Sequence, residues 1–193
     1  MKKSLKRIVL VAFCILFVAP INLFANSLLE YEFEKDYKQA QKYIKIVHSN
    51  GSSFLLFDEE SARINEESED ILEIGRDLVG ISINCNNDKI NQTSSNSNHM
   101  LRAYKFGYKI WGNYCGPGIS GMDFSQDPKD GLDRACMAHD KCYGKYGYFK
   151  CSCDNTLIAT INNSWRYWSD DAAKKGLTIR NFFRDYMSKT CHS

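Results

Sequence analysis

Hydrophobic and polar positions change their rhythm several times along this chain. An unbroken apolar run extends from Ile8 to Ala19 and stops at Pro20. Four basic residues precede it, Lys2, Lys3, Lys6 and Arg7. The run is shorter than the roughly 20 apolar residues that span a bilayer. With Ala25 as a small residue behind it, it predicts a cleaved secretory leader over residues 1–25. Tyr37, Ala40, Ile44 and Val47 then recur at helical spacing, which predicts a helix over 28–48. Asn50, Gly51, Ser52 and Ser53 read as a turn. A second, acidic helix is expected over 58–80, with Asp58 or Ser61 as its N-cap and Gly80 as its stop. These elements make an acidic helical segment over 26–83. Residues 84–100 are rich in Asn and Ser and read as a polar linker to a domain over 101–193.

In that last domain Leu101, Tyr104, Tyr108 and Trp111 would share one helical face. A helix capped near Asp130 places Leu132, Cys136, His139, Asp140 and Tyr143 on one face. A further helix lines up Asp154, Ile158, Ile161, Trp165 and Trp168. The expected fold is mainly α.

Charge adds a division the formal net of +2 conceals. Residues 26–100 carry 7 basic and 14 acidic residues, net −7, whereas 101–193 carry 14 and 9, net +5. Without the four leader charges the total is +2 − 4 = −2, so bulk charge offers nucleic acid nothing. Eight cysteines behind a leader point to disulfides in an oxidising compartment. Cys14 leaves with the leader, and the remaining seven are an odd number.

The chemistry concentrates in three pieces: WGNYCGPG (111–118), DGLDRACMAHDKCY (130–143) and CSCDN (151–155). Gly112, Gly116 and Gly118 let a backbone turn its carbonyl oxygens to one side. Such oxygens, completed by a carboxylate, suit a hard cation such as calcium. A carboxylate at the head of an apolar stripe needs a donor or a cation. His139 is the natural partner of Asp154, and a carboxylate that orients a histidine sets up a general base. Zinc held by Cys136, His139, Cys142 and Cys151 is a weaker alternative on spacing. No Gly-x-Ser-x-Gly motif is present.

Taken together, Tyr114-Cys115-Gly116-Pro117-Gly118, the Asp133–Tyr143 stretch and Cys151-Ser152-Cys153-Asp154 resemble the secreted calcium-dependent phospholipases A2. The resemblance covers about residues 101–193. It implies a disulfide-stapled fold with two long antiparallel helices and a calcium loop, and bridges Cys115–Cys136 and Cys142–Cys153. It implies Ca²⁺ held by the carbonyls of Tyr114, Gly116 and Gly118 and the carboxylate of Asp140. His139 would be the base, oriented by Asp154, with Tyr143 bonding Asp154 and the Gly116 N–H facing the oxyanion. Ala135 stands where animal enzymes have a second adjacent cysteine, Ile119 replaces a loop glycine, and the stretch from Cys142 to Cys151 is too short for a β-wing. These departures resemble the compact plant-like or microbial branch. The pairing of Cys85, Cys151 and Cys191 stays open.

The activity so implied is calcium-dependent hydrolysis of the sn-2 ester of glycerophospholipids by a secreted or extracytoplasmic enzyme, with a phospholipid membrane or micelle as partner. The alternative is a non-catalytic membrane-binding or toxin module of the same fold. Trp165, Trp168, Phe182 and Phe183 interleave with Arg166, Lys174, Lys175, Arg180 and Arg184, which suits either an anionic lipid interface or an ordinary solvated helix. The acidic segment is expected either to compete with membrane for this basic face, as a removable pro-segment or a permanent damper, or to be a separate helical hairpin with its own partner. No oligomeric state is implied.

Overall fold

The computed structural model describes residues 24–49, 52–84, 108–116, 124–188 and 191. The leader, most of the linker, Leu101, Tyr104, Gly118, Ile119 and Cys85 lie outside the described residues. The chain divides into two compact units, Met1–Lys35 and Asp36–Ser193. In the first, residues 24–35 are helical. The second opens with helical residues 36–41. Then come strands β1 (Ile44–Ser49) and β2 (Ser52–Phe57) and helices α1 (Glu59–Ile64), α2 (Glu69–Asn84), α3 (Gly131–Tyr146), α4 (Cys151–Ser164) and α5 (Asp170–Phe182). The architecture is mainly helical, and the described residues form one two-stranded sheet and three disulfides.

The helix expected to reach residue 48 ends at 41, and Ile44–Ser49 is a strand. It pairs antiparallel with β2, from Ile44 opposite Phe57 to Ser49 opposite Ser52. Ile44, Ile46 and Val47 are β-branched and fit a pleated strand better than a helix interior. The acidic helix is likewise two helices. Asp58 caps α1, its carboxylate accepting from the Ser61 N–H. Glu66 adopts a positive φ of 57° between α1 and α2.

Gly80 does not stop α2, which continues to Asn84. A Cβ there would lie 2.1 Å from the Tyr108 ring, so the missing side chain is a notch for that ring. Ile71, Leu72, Ile74, Leu78, Val79 and Ile81 bury the inward face of α2. Its acidic residues meet α5: Lys174 pairs with Asp70 at 2.6 Å, and Lys175 with Glu73 at 2.8 Å and Asp77 at 2.6 Å. Tyr37 donates to Asp185 at 2.9 Å, which joins the first helical turns of this unit to its C-terminal end.

Helices α3 and α4 pack closely, joined by residues 147–150. Cys142 bridges to Cys153 and His139 faces Asp154, so position numbers fall along one helix as they rise along the other. That order makes the pair antiparallel. Ile161 and Trp165 are buried, as the inward stripe requires, while Trp168 is half-buried. Trp165, Phe182 and Phe183, expected on either a lipid interface or an ordinary solvated helix, lie inside. Trp165 is 1% exposed and Phe182 1%, and Phe183 and Arg180 are buried with them. These rings are core, and Lys174 and Lys175 are engaged by α2. Tyr108–Ile110 are not helical, and Trp111 forms an antiparallel bridge with Cys115, so the expected first helix is absent from the described part of 101–111.

Candidate active site

The glycine-rich loop is shaped by its own backbone and by one buried carboxylate. The Ile110 and Trp111 N–H groups both donate to the Cys115 carbonyl, at 2.9 and 3.1 Å. Asp133 sits in the first turn of α3 and is 0% exposed. Its oxygens accept from the N–H groups of Asn113 (2.9 Å), Tyr114 (2.8 Å) and Lys129 (2.8 Å). A carboxylate without water is tolerated when several donors replace its hydration. Gly112 adopts φ +54°, and a Cβ there would fall 2.1 Å from the Asp133 carboxyl carbon. Glycine is therefore required at 112 on two counts. Asp130 caps the same helix, accepting from the Asp133 N–H at 2.9 Å and from the Trp111 indole N–H at 2.7 Å. Reading the sequence assigned Asp133 no role. Its signal was a carboxylate three residues after the cap, beside buried Leu132.

The Cys115–Cys136 bridge, with Cα atoms 5.1 Å apart, pins the loop to α3. Asp140 lies one turn further along the helix, about 6 Å by helical rise. The Tyr114 ring is buried and stacks on Phe124, with centroids 5.9 Å apart. Tyr114 and Gly116 are thus held near the helix that carries Asp140, while Gly118 falls outside the described residues. Backbone carbonyls with one carboxylate are an all-oxygen donor set, and their chemistry fits calcium. Among the described residues no group of three His, Cys, Asp or Glu side chains could hold a metal. The zinc alternative fails on its ligands, because Cys136, Cys142 and Cys151 are all in disulfides. The Cys151–Cys191 bridge also answers part of the pairing left open.

One helix turn beyond Cys136, the buried His139 points its Nε2 at Asp154 Oδ1, 2.9 Å away. Tyr143 donates its hydroxyl to the same oxygen. An ionised carboxylate only accepts. Facing an accepting carboxylate, Nε2 is the imidazole nitrogen that would donate. The Tyr143 ring lies 4.1 Å from the imidazole and the edge-on Phe183 ring 5.1 Å. Phe183, whose helix the sequence left open between a lipid interface and a solvated surface, is a wall of the histidine's pocket. Asp154 Oδ2 is buried with no hydrogen-bond partner among the described residues. The structure thus brings His139, Asp154 and Tyr143 into one cluster, with Asp140 the next residue after His139 along α3. The combination is a histidine–carboxylate–tyrosine cluster one helix turn from the bridge that pins the glycine-rich loop.

Comparison with known proteins places the likeness in a short stretch. The chain is 40% identical over 60 residues to the acidic phospholipase A2 homolog taipoxin gamma chain of Oxyuranus scutellatus scutellatus, covering 31% of this chain and 36% of that one. It is 54% identical over 37 residues to a basic phospholipase A2 of Micrurus mipartitus (19% and 27%). It is 36% identical over 58 residues to a phospholipase A2 of Scolopendra dehaani (30% and 36%). The chain spans about a third of the length of such curated relatives. No family model and no solved structure matches it. The similarity to phospholipases A2 rests on these local matches.

Proposed function

We propose that this chain is a secreted calcium-dependent phospholipase A2 that hydrolyses the sn-2 ester of glycerophospholipids to a fatty acid and a lysophospholipid. The observation that carries the reading is the buried His139–Asp154 contact at 2.9 Å. A histidine held this way is a base whose tautomer is set by its carboxylate. His139 Nδ1 takes a proton from water, and that water attacks the ester carbonyl. Asp154 holds the imidazole and stabilises its protonated form, and Tyr143 holds Asp154. The Gly116 N–H is assigned to the oxyanion. The carbonyls of Tyr114, Gly116 and Gly118 and the carboxylate of Asp140 would hold Ca²⁺, which when bound supplies Lewis-acid stabilisation of negative charge.

The same reading takes the leader over 1–25 as removed, residues 26–83 and 84–100 as acidic segment and linker, and 101–193 as the catalytic part. Three disulfides suit an extracytoplasmic compartment. The partner is a phospholipid membrane or micelle and not nucleic acid. A second reading, a non-catalytic module, is favoured by one observation: the taipoxin gamma chain is named a phospholipase A2 homolog. Fatty-acid release from phosphatidylcholine vesicles, with calcium and then with chelator, separates the two. Release that stops on chelation supports the enzyme. No release from the folded, calcium-loaded protein supports the module, and release that survives saturating chelator rejects the calcium assignment.

A further inference from the structure

Asp77 is a buried carboxylate that the proposed chemistry does not use. It belongs to the acidic segment and is 2% exposed. Its Oδ1 accepts from the Tyr108 hydroxyl at 2.8 Å, and its Oδ2 from the Lys175 ammonium at 2.6 Å. The Tyr108 ring fills the notch at Gly80, one helical turn along α2. Tyr108 is two residues before Ile110, whose N–H closes the glycine-rich loop on Cys115. The ring and hydroxyl are therefore clamped at the point where the backbone enters the loop. A charged hydrogen bond out of water, together with a close-packed ring, holds its partners stiffly.

We propose that Asp77 is a positioning residue for the loop: through Tyr108 it fixes the chain entering residues 110–116, so the acidic segment is part of the scaffold of the candidate site. The calcium part of this inference rests on the proposed function. The loop part does not.

The test uses the full chain and two small changes. Tyr108→Phe keeps the ring in its notch and removes only the hydroxyl. Asp77→Asn removes the charge that holds it. Asp70→Asn is the control, since Asp70 ties α2 to α5 through Lys174 without touching Tyr108. Amide hydrogen exchange in calcium-free protein is followed at Ile110, Trp111 and Cys115, with Leu157 and Ile161 of α4 as reference. In both test variants exchange at the loop amides should rise about 2- to 30-fold over the reference, the range of remote coupling effects, and in the control it should not. Calcium should bind more weakly by a similar factor, read by calorimetric titration. Equal acceleration at Ile161 and Cys115 would mean a purely structural role and overturn the proposal. So would unchanged loop exchange, whereas faster loop exchange with unaltered calcium affinity would overturn the calcium part and leave Asp77 as a positioning residue of the loop. If the wild-type protein takes up no calcium, the proposed function falls, and the exchange pattern alone decides whether Asp77 positions the loop.

Discussion

Two seams of this molecule each bury a carboxylate under a tyrosine hydroxyl, and they are held by different means. Between α3 and α4, Asp154 receives Tyr143 and His139, and the Cys142–Cys153 bridge locks the helices beside it. Between α2 and α5, Asp77 receives Tyr108 and Lys175, and the other cross-links are ion pairs. The first carboxylate faces an imidazole, a side chain able to carry a proton to and from water, the second the Lys175 ammonium. Chemistry is thus possible in the first seam, while the second can only hold. The covalent seam should yield to reductant, and the ionic one to salt and pH.

The largest expected effect lies in the covalent seam and the loop beside it. Asp140→Lys places an ammonium where the cation would sit, so calcium binding and lipid hydrolysis should vanish together. Calorimetry and the vesicle assay check this, and retained binding would remove Asp140 from the ligand set. His139→Gln should lower turnover by roughly 10²-fold or more, the scale of general acid–base catalysis, with calcium binding intact. Near-normal turnover in that variant would reject the histidine as base. Replacing Cys142 and Cys153 together by Ala should cost about 2–4 kcal/mol of stability, read by denaturant unfolding.

In the ionic seam the effects are smaller and carry a sign in pH. Burial pushes the Asp77 carboxyl above the ordinary carboxylate range, against the pull of the Lys175 ammonium and the Tyr108 hydroxyl, while Glu73 adds to the rise. The folded protein therefore keeps this proton to higher pH than the unfolded chain. Stability of the wild type relative to Asp77→Asn should fall as pH rises from the unfolded to the folded value. Paired thermal melts across that range check the sign, and a difference that widened with pH would contradict it. Lys174→Ala breaks a half-exposed pair and should cost only about 0.2–1 kcal/mol, less at high salt.

The seams also differ in how they announce themselves. His139, Asp140, Tyr143 and Asp154 stand out in the sequence because chemistry needs particular residue types at helical spacing. The resemblance they carry also implied two of the bridges seen among the described residues, Cys115–Cys136 and Cys142–Cys153. Asp77 and Gly80 look like any acidic residue and any glycine of a charged helix. Their importance lies in Tyr108, across the chain, and no local pattern points to it. The damper expectation drew on the same charges as the pairs now seen between α2 and α5.

By itself the amino-acid order determined the mainly helical class, the Asp58 and Asp130 caps, the burial of Asp154, Ile161 and Trp165 and the grouping of reactive residues. Each follows from interactions within a few residues or one helical face. Only the tertiary structure decided that Ile44–Ser49 pairs as a strand, that Gly80 is a notch, that Asp133 organises the loop, and that Phe183 walls the imidazole. A short β-branched run satisfies more than one period, and a buried side chain is defined by what packs on it from elsewhere.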